Sequence, residues 1–445
     1  MFISLAGAFL SIIMVGAFFF GFRTGVVALI LIRPLCDRVF ESGRFDVGGQ
    51  AISCGALINI AVIFALFCNL SRVWQSVPAK LRTIWLPFLI LAFAAVIYSP
   101  VQLEALRKFF TYFCYFVMFS FGFAVVRSER DLLYFLKMIV LSSVPPVTYG
   151  LFQIATGLDL YDDGRIRSTF SHPNIFAFFI IIIIGIILFL QCTSRLKTSG
   201  RYRLVLTVYL LPLLILLIFT KTRNAWIGCA VEFLVYGMVY DRRALVLLLL
   251  APFVALAIPG VADRFNDLSS GNDYIGGPAI NVNAYAWRTI LWESSFTYIW
   301  ERPIFGYGLG SFFFYSPEFF PLEHHHGADA HSVYIQTIFE MGFVGLISWS
   351  LIFGRSFIWL GRFWHFDKRG VPVVAASMVA YLIACYSDNI LAYLTFDWCF
   401  WFFFGLIFAQ FSQYRARVSG HRKSHHWQSR TSEKKMFGNP IPLGE

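Results

Sequence analysis

Apolar runs without a single charged side chain recur along almost the whole chain: Phe2 to Phe22, Val47 to Ser71, Thr83 to Leu103, Phe109 to Val126, Met138 to Leu158, Ser168 to Ser194, Leu204 to Thr220, Ala244 to Ala262 and Gly370 to Ser387. Three more carry one acid each: Asn224 to Tyr240 with Glu232, Ser332 to Gly354 with Glu340, and Tyr393 to Ser412 with Asp397. A run of about 20 such residues crosses roughly 30 Å of hydrocarbon as a helix, and a helix satisfies its own backbone where no water is at hand. A chain that is 58% hydrophobic, 14% charged and +0.67 in mean hydropathy has too few polar side chains to cover a water-soluble globule. The expected fold is an all-α integral membrane protein, a bundle of about 12 transmembrane helices. Thr24 to Ile32 adds a short thirteenth crossing or a re-entrant hairpin, its nine apolar residues being too few to span alone.

The 51 Phe, 20 Tyr and 12 Trp suit lipid-facing surfaces and interfacial belts. Eight cysteines without a CxxC pair signal neither a zinc site nor a disulfide framework and read as small buried apolar residues. The first apolar run is too long for a cleavable signal and reads as the first span.

Short loops holding Arg195, Lys197, Arg201 and Arg203, then Arg242 and Arg243, then Arg355, Arg362, Lys368 and Arg369 are separated by even numbers of spans. The positive-inside rule makes that side cytoplasmic. The tail from 413 to 445 joins it, with seven Lys or Arg against two acids, a composition suited to anionic headgroups or to a solvated tail. The opposite side receives the long hydrophilic segment Pro259 to Ala330, with eight Asp or Glu and three Arg or Lys. The chain thus divides into helices with short loops over 1–258, a large external loop over 259–330, C-terminal helices over 331–412 and the basic tail. Within the loop, Ala284 to Trp300 reads as a short helix near the interface, followed by the glycine turn ERPIFGYGLGSF. A loop of this length in a compact bundle is usually functional.

Three external segments carry groups able to do chemistry at a bilayer surface. Gly164 to Asn174, GRIRSTFSHPN, places Arg165 and Arg167 before a span; interfacial snorkelling is the plainer use of both. Thr220 to Trp226, TKTRNAW, holds Lys221 and Arg223 in a tight turn against the orientation rule. An anion explains them, because guanidinium forks bind phosphate oxygens bidentately. The third segment, His324 to Leu346, feeds a helix for which Asp329 is an N-cap candidate. That cap puts His331 in the first turn, on one face with Tyr334, Ile335 and Ile338. There the helix dipole keeps the imidazole neutral, as a general base requires. A hydrogen-bonded interfacial histidine is the alternative. His324, His325 and His326 with Asp329 are a weak metal signal, and no metal or other cofactor is expected. Lys137, Glu232, Glu340 and Asp388, in or beside spans, fit an ion-coupled transporter or pairing within the bundle.

In this order the segments resemble the O-antigen ligase and O-antigen polymerase superfamily of bacterial envelope proteins. STFSHPNIFA is similar to its Gly-x-Phe-x-His-Pro-Asn segment, with Ser168 and Thr169 where glycine is frequent, and TKTRNAWIG to its Ser-x-Ser-Arg segment. WRTILWESS with RPIFGYGLGSF resembles its loop helix and glycine turn, and HSVYIQTIFEMGFVGL its histidine-rooted helix. The resemblance runs from about Gly150 to Gly345. It implies an inner-membrane enzyme with a periplasmic site, transferring glycan from an undecaprenyl diphosphate-linked donor with inversion and without a metal. On that reading His331 is the base, and Arg167, Arg223 and Arg288 hold the diphosphate. Arg165, Lys221, Tyr334 and Gln336 support them, while His172 and Asn174 shape the turn before their helix. The acceptor is a second carrier-linked glycan for a polymerase, the slightly favoured alternative, or lipid A core for a ligase. Membrane lipids and a chain-length regulator are further partners; nucleic acid is not. A lipid-linked glycan flippase or secondary transporter is the non-enzymatic alternative.

Overall fold

The computed structural model describes residues 2–47, 50–256, 282–322 and 326–414. The basic tail beyond 414, much of the first half of the long loop, and His324 and His325 lie outside them.

Helices dominate, as the hydropathy pattern requires. α1 (Phe2–Phe19), α2 (Phe22–Leu35) and α3 (Asp37–Ser42) lead into a hairpin of β1 (Arg44–Val47) and β2 (Gln50–Ser53), antiparallel with Val47 paired to Gln50. The apolar run expected to be helical from Val47 therefore opens as a strand pair. Helix begins only at Cys54, where the Ser53 side chain caps the Ala56 amide. There follow α4 (Cys54–Cys68), α5 (Leu70–Ser76), α6 (Ala79–Ile97), α7 (Gln102–Val125), α8 (Glu129–Ser142), α9 (Val144–Thr156), α10 (Pro173–Cys192), α11 (Gly200–Phe219), α12 (Arg223–Val239) and α13 (Arg243–Leu256). The loop helices are α14 (Ala284–Glu301) and α15 (Ser311–Phe319), and α16 (Val333–Gly361), α17 (Gly370–Ser387) and α18 (Leu394–Tyr414) close the bundle.

Among the described residues eight helical segments are long and apolar enough to cross a membrane: α6, α7, α8 with α9, α10, α11, α16, α17 and α18. A ninth joins if α4 and α5, bent by 78°, count as one. The other three expected runs form α1, α12 and α13, which fall short by this measure. Short as it is, α2 runs alongside α8 and α9 from one end of the bundle to the other. Arg23 at its start meets Asp131 at 2.7 Å, and Arg38 just past its end meets Asp159 at 2.7 Å.

The core is built around α10, PNIFAFFIIIIIGIILFLQC, which is buried along its whole length while α11 beside it is mostly open. An uninterrupted Ile and Phe surface has no polar face to turn outward, so it takes the centre. At Gly185 an added Cβ would lie 2.4 Å from Ser377 Oγ and 2.6 Å from Glu232 Oε1. Glycine there lets α12 and α17 close on α10, and Ser377 donates to Glu232 at 2.6 Å.

The bundle has two distinct ends. At one, Arg195 donates to the Phe366 carbonyl (2.6 Å), Thr193 to Asp367 (2.6 Å), and Arg369 lies over Tyr240. The three basic loops thus meet there, and α18 ends beside them, with Gln413 donating to the Val126 carbonyl. At the other end gather residues 37–44, 157–172, 220–222, the loop helices and 388–393.

The glycine turn after α14 locks the loop onto the bundle. Gly342 (φ 66°) breaks α16, and the turn enters the break. Tyr307 N–H donates to the Phe339 carbonyl (3.0 Å), Gly308 N–H to that of Glu340 (2.8 Å), and Phe343 N–H to that of Pro303 (2.8 Å). A Cβ on Gly306 would come within 2.4 Å of Phe339 O, so the turn's approach depends on glycine.

Candidate active site

The segment 157–172 is pinned by partners distant in sequence. Asp159 accepts two bonds from Arg38 (2.9 and 2.7 Å), one from Arg167 (2.9 Å) and one from Tyr149 (3.0 Å). Burial raises its carboxyl pKa, but the Arg38, Arg167 and Tyr149 hydrogen bonds outweigh burial and leave it below the ordinary value. Ser171 donates to Asp37 from both N–H and hydroxyl at 3.0 Å, and Thr169 donates to the Pro34 carbonyl at 2.7 Å.

A second network ties this segment to the turn before α12. Arg165 donates to the Thr220 carbonyl (2.8 Å), to Thr222 Oγ1 (3.0 Å) and to Asn174 Oδ1. Asn174 in turn donates to Asp388 (2.6 Å), which also accepts from Tyr393 (2.5 Å). The starts of α10 and α12 are thereby drawn together. Both present the positive ends of their dipoles, with Lys221 and Arg223 at the second, which favours an anion between them.

His172 caps α10, its Nδ1 accepting from the Asn174 N–H at 3.1 Å, and its ring meets Tyr161 edge-on at 5.0 Å. Its pKa is pushed down to about 4, by burial first and then by Arg165, with Asp388 opposing and His331 and Arg288 adding to the fall. These charges reach His172 because the segments around 165, 288, 331 and 388 converge on it. Tyr393 feels the same neighbourhood: burial and Asp388 raise its pKa while Arg288 opposes. α14 lies over the group, with Trp287 edge-on to His331 at 5.6 Å and Trp292 donating to the Ala330 carbonyl at 2.7 Å. Arg288, one residue after Trp287, has no hydrogen-bond or ion-pair partner among the described residues.

His331 itself departs from the expected position. Ser332, not Asp329, stands at the N-cap of α16, and the first helical residue is Val333. His331 therefore precedes the helix, held in left-handed backbone at φ 48°, and the expectation that it lies in the first turn is corrected. Its Trp287 contact, not a place on the helical face, orients it. The only other non-glycine residues with positive φ among those described are Asp159, Ser168 and Lys221. All four belong to segments that meet here, and left-handed backbone in residues with a Cβ is characteristic of functional sites.

Tyr334 donates to the Leu382 carbonyl (2.7 Å), bracing α16 against α17. Gln336 is buried and donates to Glu340 (2.9 Å), which also accepts from Lys108 (3.1 Å). No group of three His, Cys, Asp or Glu arranged to hold a metal occurs among the described residues. Six cysteines are buried, Cys36 is half-buried and Cys68 exposed. The sequence reading missed Arg38, Asp159 and Tyr393; it gave Asp388 as a transport residue or as a group paired within the bundle, and the bonds to Asn174 and Tyr393 match the second. Their partners lie up to 214 residues away, and no local motif marks them.

Among the described residues, eight or nine apolar spans with a cluster of cationic and histidine side chains at one end define a multi-pass membrane protein. The O-antigen ligase family model matches residues 208–350, the stretch holding Lys221, Arg223, Arg288, His331, Tyr334 and Gln336. Over those residues the match supports the resemblance to the O-antigen ligase and polymerase superfamily. No curated protein matches the chain.

Proposed function

We propose that this protein is an inverting, metal-independent glycosyltransferase of the bacterial inner membrane. It moves a glycan from an undecaprenyl diphosphate-linked donor to an acceptor hydroxyl on the periplasmic side, most simply to extend an O-antigen or exopolysaccharide. The observation that carries this reading is the convergence of His331, Arg288, Arg165 and His172 at the end of the bundle opposite the basic loops. Positive-inside orientation makes that end periplasmic.

A lipid diphosphate is already a good leaving group. The enzyme has only to balance charge on its oxygens and take a proton from the acceptor. Arg288 supplies a guanidinium with no hydrogen-bond or ion-pair partner among the described residues, and Arg223 stands at the start of α12. Arg167 joins them by exchanging the Asp159 carboxylate for phosphate; Arg165 is committed to tying the two helix starts together. In one displacement the acceptor oxygen bonds to the anomeric carbon as the bond from that carbon to the diphosphate oxygen breaks. The hydroxyl proton passes to His331, and undecaprenyl diphosphate leaves. A single displacement inverts the anomeric centre.

The test is His331→Ala and His331→Gln in the full-length protein. Both should insert, bind lipid-linked donor and accumulate it unconsumed, with transfer reduced about 10²–10⁴-fold. Transfer above roughly a tenth of normal, a smaller loss than a missing base causes, would remove His331 from the role.

A further inference from the structure

A cavity of about 990 Å³ opens between α4, α7 and the first half of α16. It is separate from the cation-rich group around His172, yet Asp329 and Val333 on either side of His331 both line it, as does Asn389 next to Asp388. His331 thus lies in sequence between two residues of the cavity wall. Ligand pockets usually span about 300–1,000 Å³, so this one has room for more than a single sugar ring.

Its charges are balanced internally. Three acids (Glu41, Glu104, Asp329) and three bases (Arg44, Arg107, Lys108) line it. Arg107 pairs with Glu104 at 3.2 Å, Lys108 with Glu340 at 3.1 Å, and Glu41 with Arg33 at 2.7 Å. Among the described residues only Arg44 and Asp329 of this lining stand outside an ion pair. Such a wall offers no surplus of positive charge to a phosphate.

It does offer acceptors. Gln336 spends its amide N–H on Glu340, which fixes the side-chain oxygen as the remaining group, and that oxygen has no partner. Thr111 spends its hydroxyl proton on the Arg107 carbonyl, so Asn59 must donate to it (3.2 Å), leaving Asn59 Oδ1 likewise unpartnered. Both residues line the cavity and are more than nine-tenths buried. Both oxygens are closed to water, on side chains that border the cavity. An unmet buried acceptor calls for an O–H donor. Sugar hydroxyls are donors, whereas ionised phosphate oxygens are acceptors and would be repelled.

We propose that this cavity is the acceptor subsite, and that the part of the acceptor it holds is an uncharged, hydroxyl-rich saccharide, with any phosphate of the acceptor lying outside it. The inference rests on the glycosyltransferase reading and deepens it: donor diphosphate on the cationic side of His331, neutral acceptor sugar on the other.

The experiment uses full-length protein in nanodiscs and two probes. One is the neutral oligosaccharide released by mild acid from the cell's own lipid-linked donor; the other is undecaprenyl diphosphate. Saturation-transfer NMR should report the oligosaccharide on wild type, with apparent affinity reduced at least about tenfold, the effect of one lost buried contact of 1.4 kcal/mol, in Ala56→Trp, which fills the cavity, and in Gln336→Leu, which removes an acceptor at constant volume. Ala56→Trp should bind undecaprenyl diphosphate as wild type does, and Arg288→Ala should show the reverse pattern. Unchanged oligosaccharide binding in Gln336→Leu and in folded Ala56→Trp overturns the assignment, as does tighter binding of a phosphorylated core oligosaccharide at the same site. If Arg288→Ala binds undecaprenyl diphosphate normally while the cavity variants lose the sugar, the donor reading fails and the cavity assignment stands.

Discussion

Arg167 donates to the carboxylate of Asp159 across 2.9 Å, so a cation assigned to the lipid diphosphate is held beforehand by an internal acid. The same carboxylate holds Arg38, so one acid ties both guanidiniums to the segment. Because the folded pKa of Asp159 is depressed, its stabilisation is fully present above the unfolded value near 3.8 and is lost as pH falls through the lower folded one. Asp159→Asn should therefore lower thermal stability at pH 7 by about 1–2 kcal/mol, a charge-assisted hydrogen bond's worth. The gap from wild type should narrow only below about pH 4. Melting curves of the two proteins between pH 3 and 8 check this; a gap that closes near neutrality would mean the pair is not formed.

Arg223 opens α12 beside Lys221, whose backbone is left-handed at φ 52°. An ammonium is already present, so charge alone cannot be what position 223 adds; the fork is. Arg223→Lys should lose most transfer, about tenfold or more if one bidentate contact of 1.4 kcal/mol or greater is removed. Polymer yield at matched protein level measures it. Normal yield would assign Arg223 to headgroup contact.

The wedge of the glycine turn into α16 makes Gly342 a folding position. An added Cβ would sit 2.0 Å from Ile304 O at φ 66°, and left-handed backbone alone costs a Cβ-bearing residue about 1–2 kcal/mol. Gly342→Ala should sharply reduce the monodisperse fraction after purification. Gly354→Ala, on the same helix with open space around it, should be neutral or slightly stabilising, as alanine is the better helix former.

What the sequence made legible follows from the range of each interaction. Apolar runs report burial residue by residue, so α10 and its neighbours are readable from composition alone, and the loop helix from Ala284 and the glycine turn are local signals. The β1–β2 hairpin was readable too, since Gly48 and Gly49 are a hairpin signal inside a run judged by hydropathy only. The start of α16 was misjudged because Asp329 and Ser332 both suit an N-cap, and left-handed backbone at a histidine leaves no mark in composition. The break at Gly342 was hidden because glycine is common within membrane helices. Arg38 with Asp159, Asn174 with Asp388 and the Gln336–Glu340–Lys108 group are long-range pairings that only the packed bundle brings together.

Transfer should proceed in chelator, because the cations proposed to hold the diphosphate are arginines, with Lys221 beside them, that need no ion to act. Purified protein given lipid-linked donor and excess EDTA should turn over at its ordinary rate. Loss of activity restored by a divalent ion would bring His326 and Asp329, with His324 beside them, back as ligands.

Two histidines face one another's charge in the site, and pH separates their roles. His172, pushed down to about 4 by burial and by Arg165, is neutral throughout pH 5–8. Replacing it by neutral glutamine changes no charge in that window. A general base must be deprotonated to act, so the rate falls tenfold per pH unit below its pKa, and histidine is the side chain that ordinarily changes charge between about pH 5 and 8. The transfer rate of His172→Gln should keep the wild-type acid limb, displaced by less than about one unit, even if loss of the α10 cap lowers its amplitude. The residual rate of His331→Gln should lose that limb. Stability gives an independent check on His172. Its depressed pKa contributes most above the unfolded value of about 6.5, and the contribution drains away as pH falls toward 4. Wild type should thus lose melting temperature between pH 6.5 and 4 faster than His172→Gln does. If the acid limb instead disappears in His172→Gln and survives in His331→Gln, the two have been assigned the wrong way round, and the proton goes to the residue that caps α10.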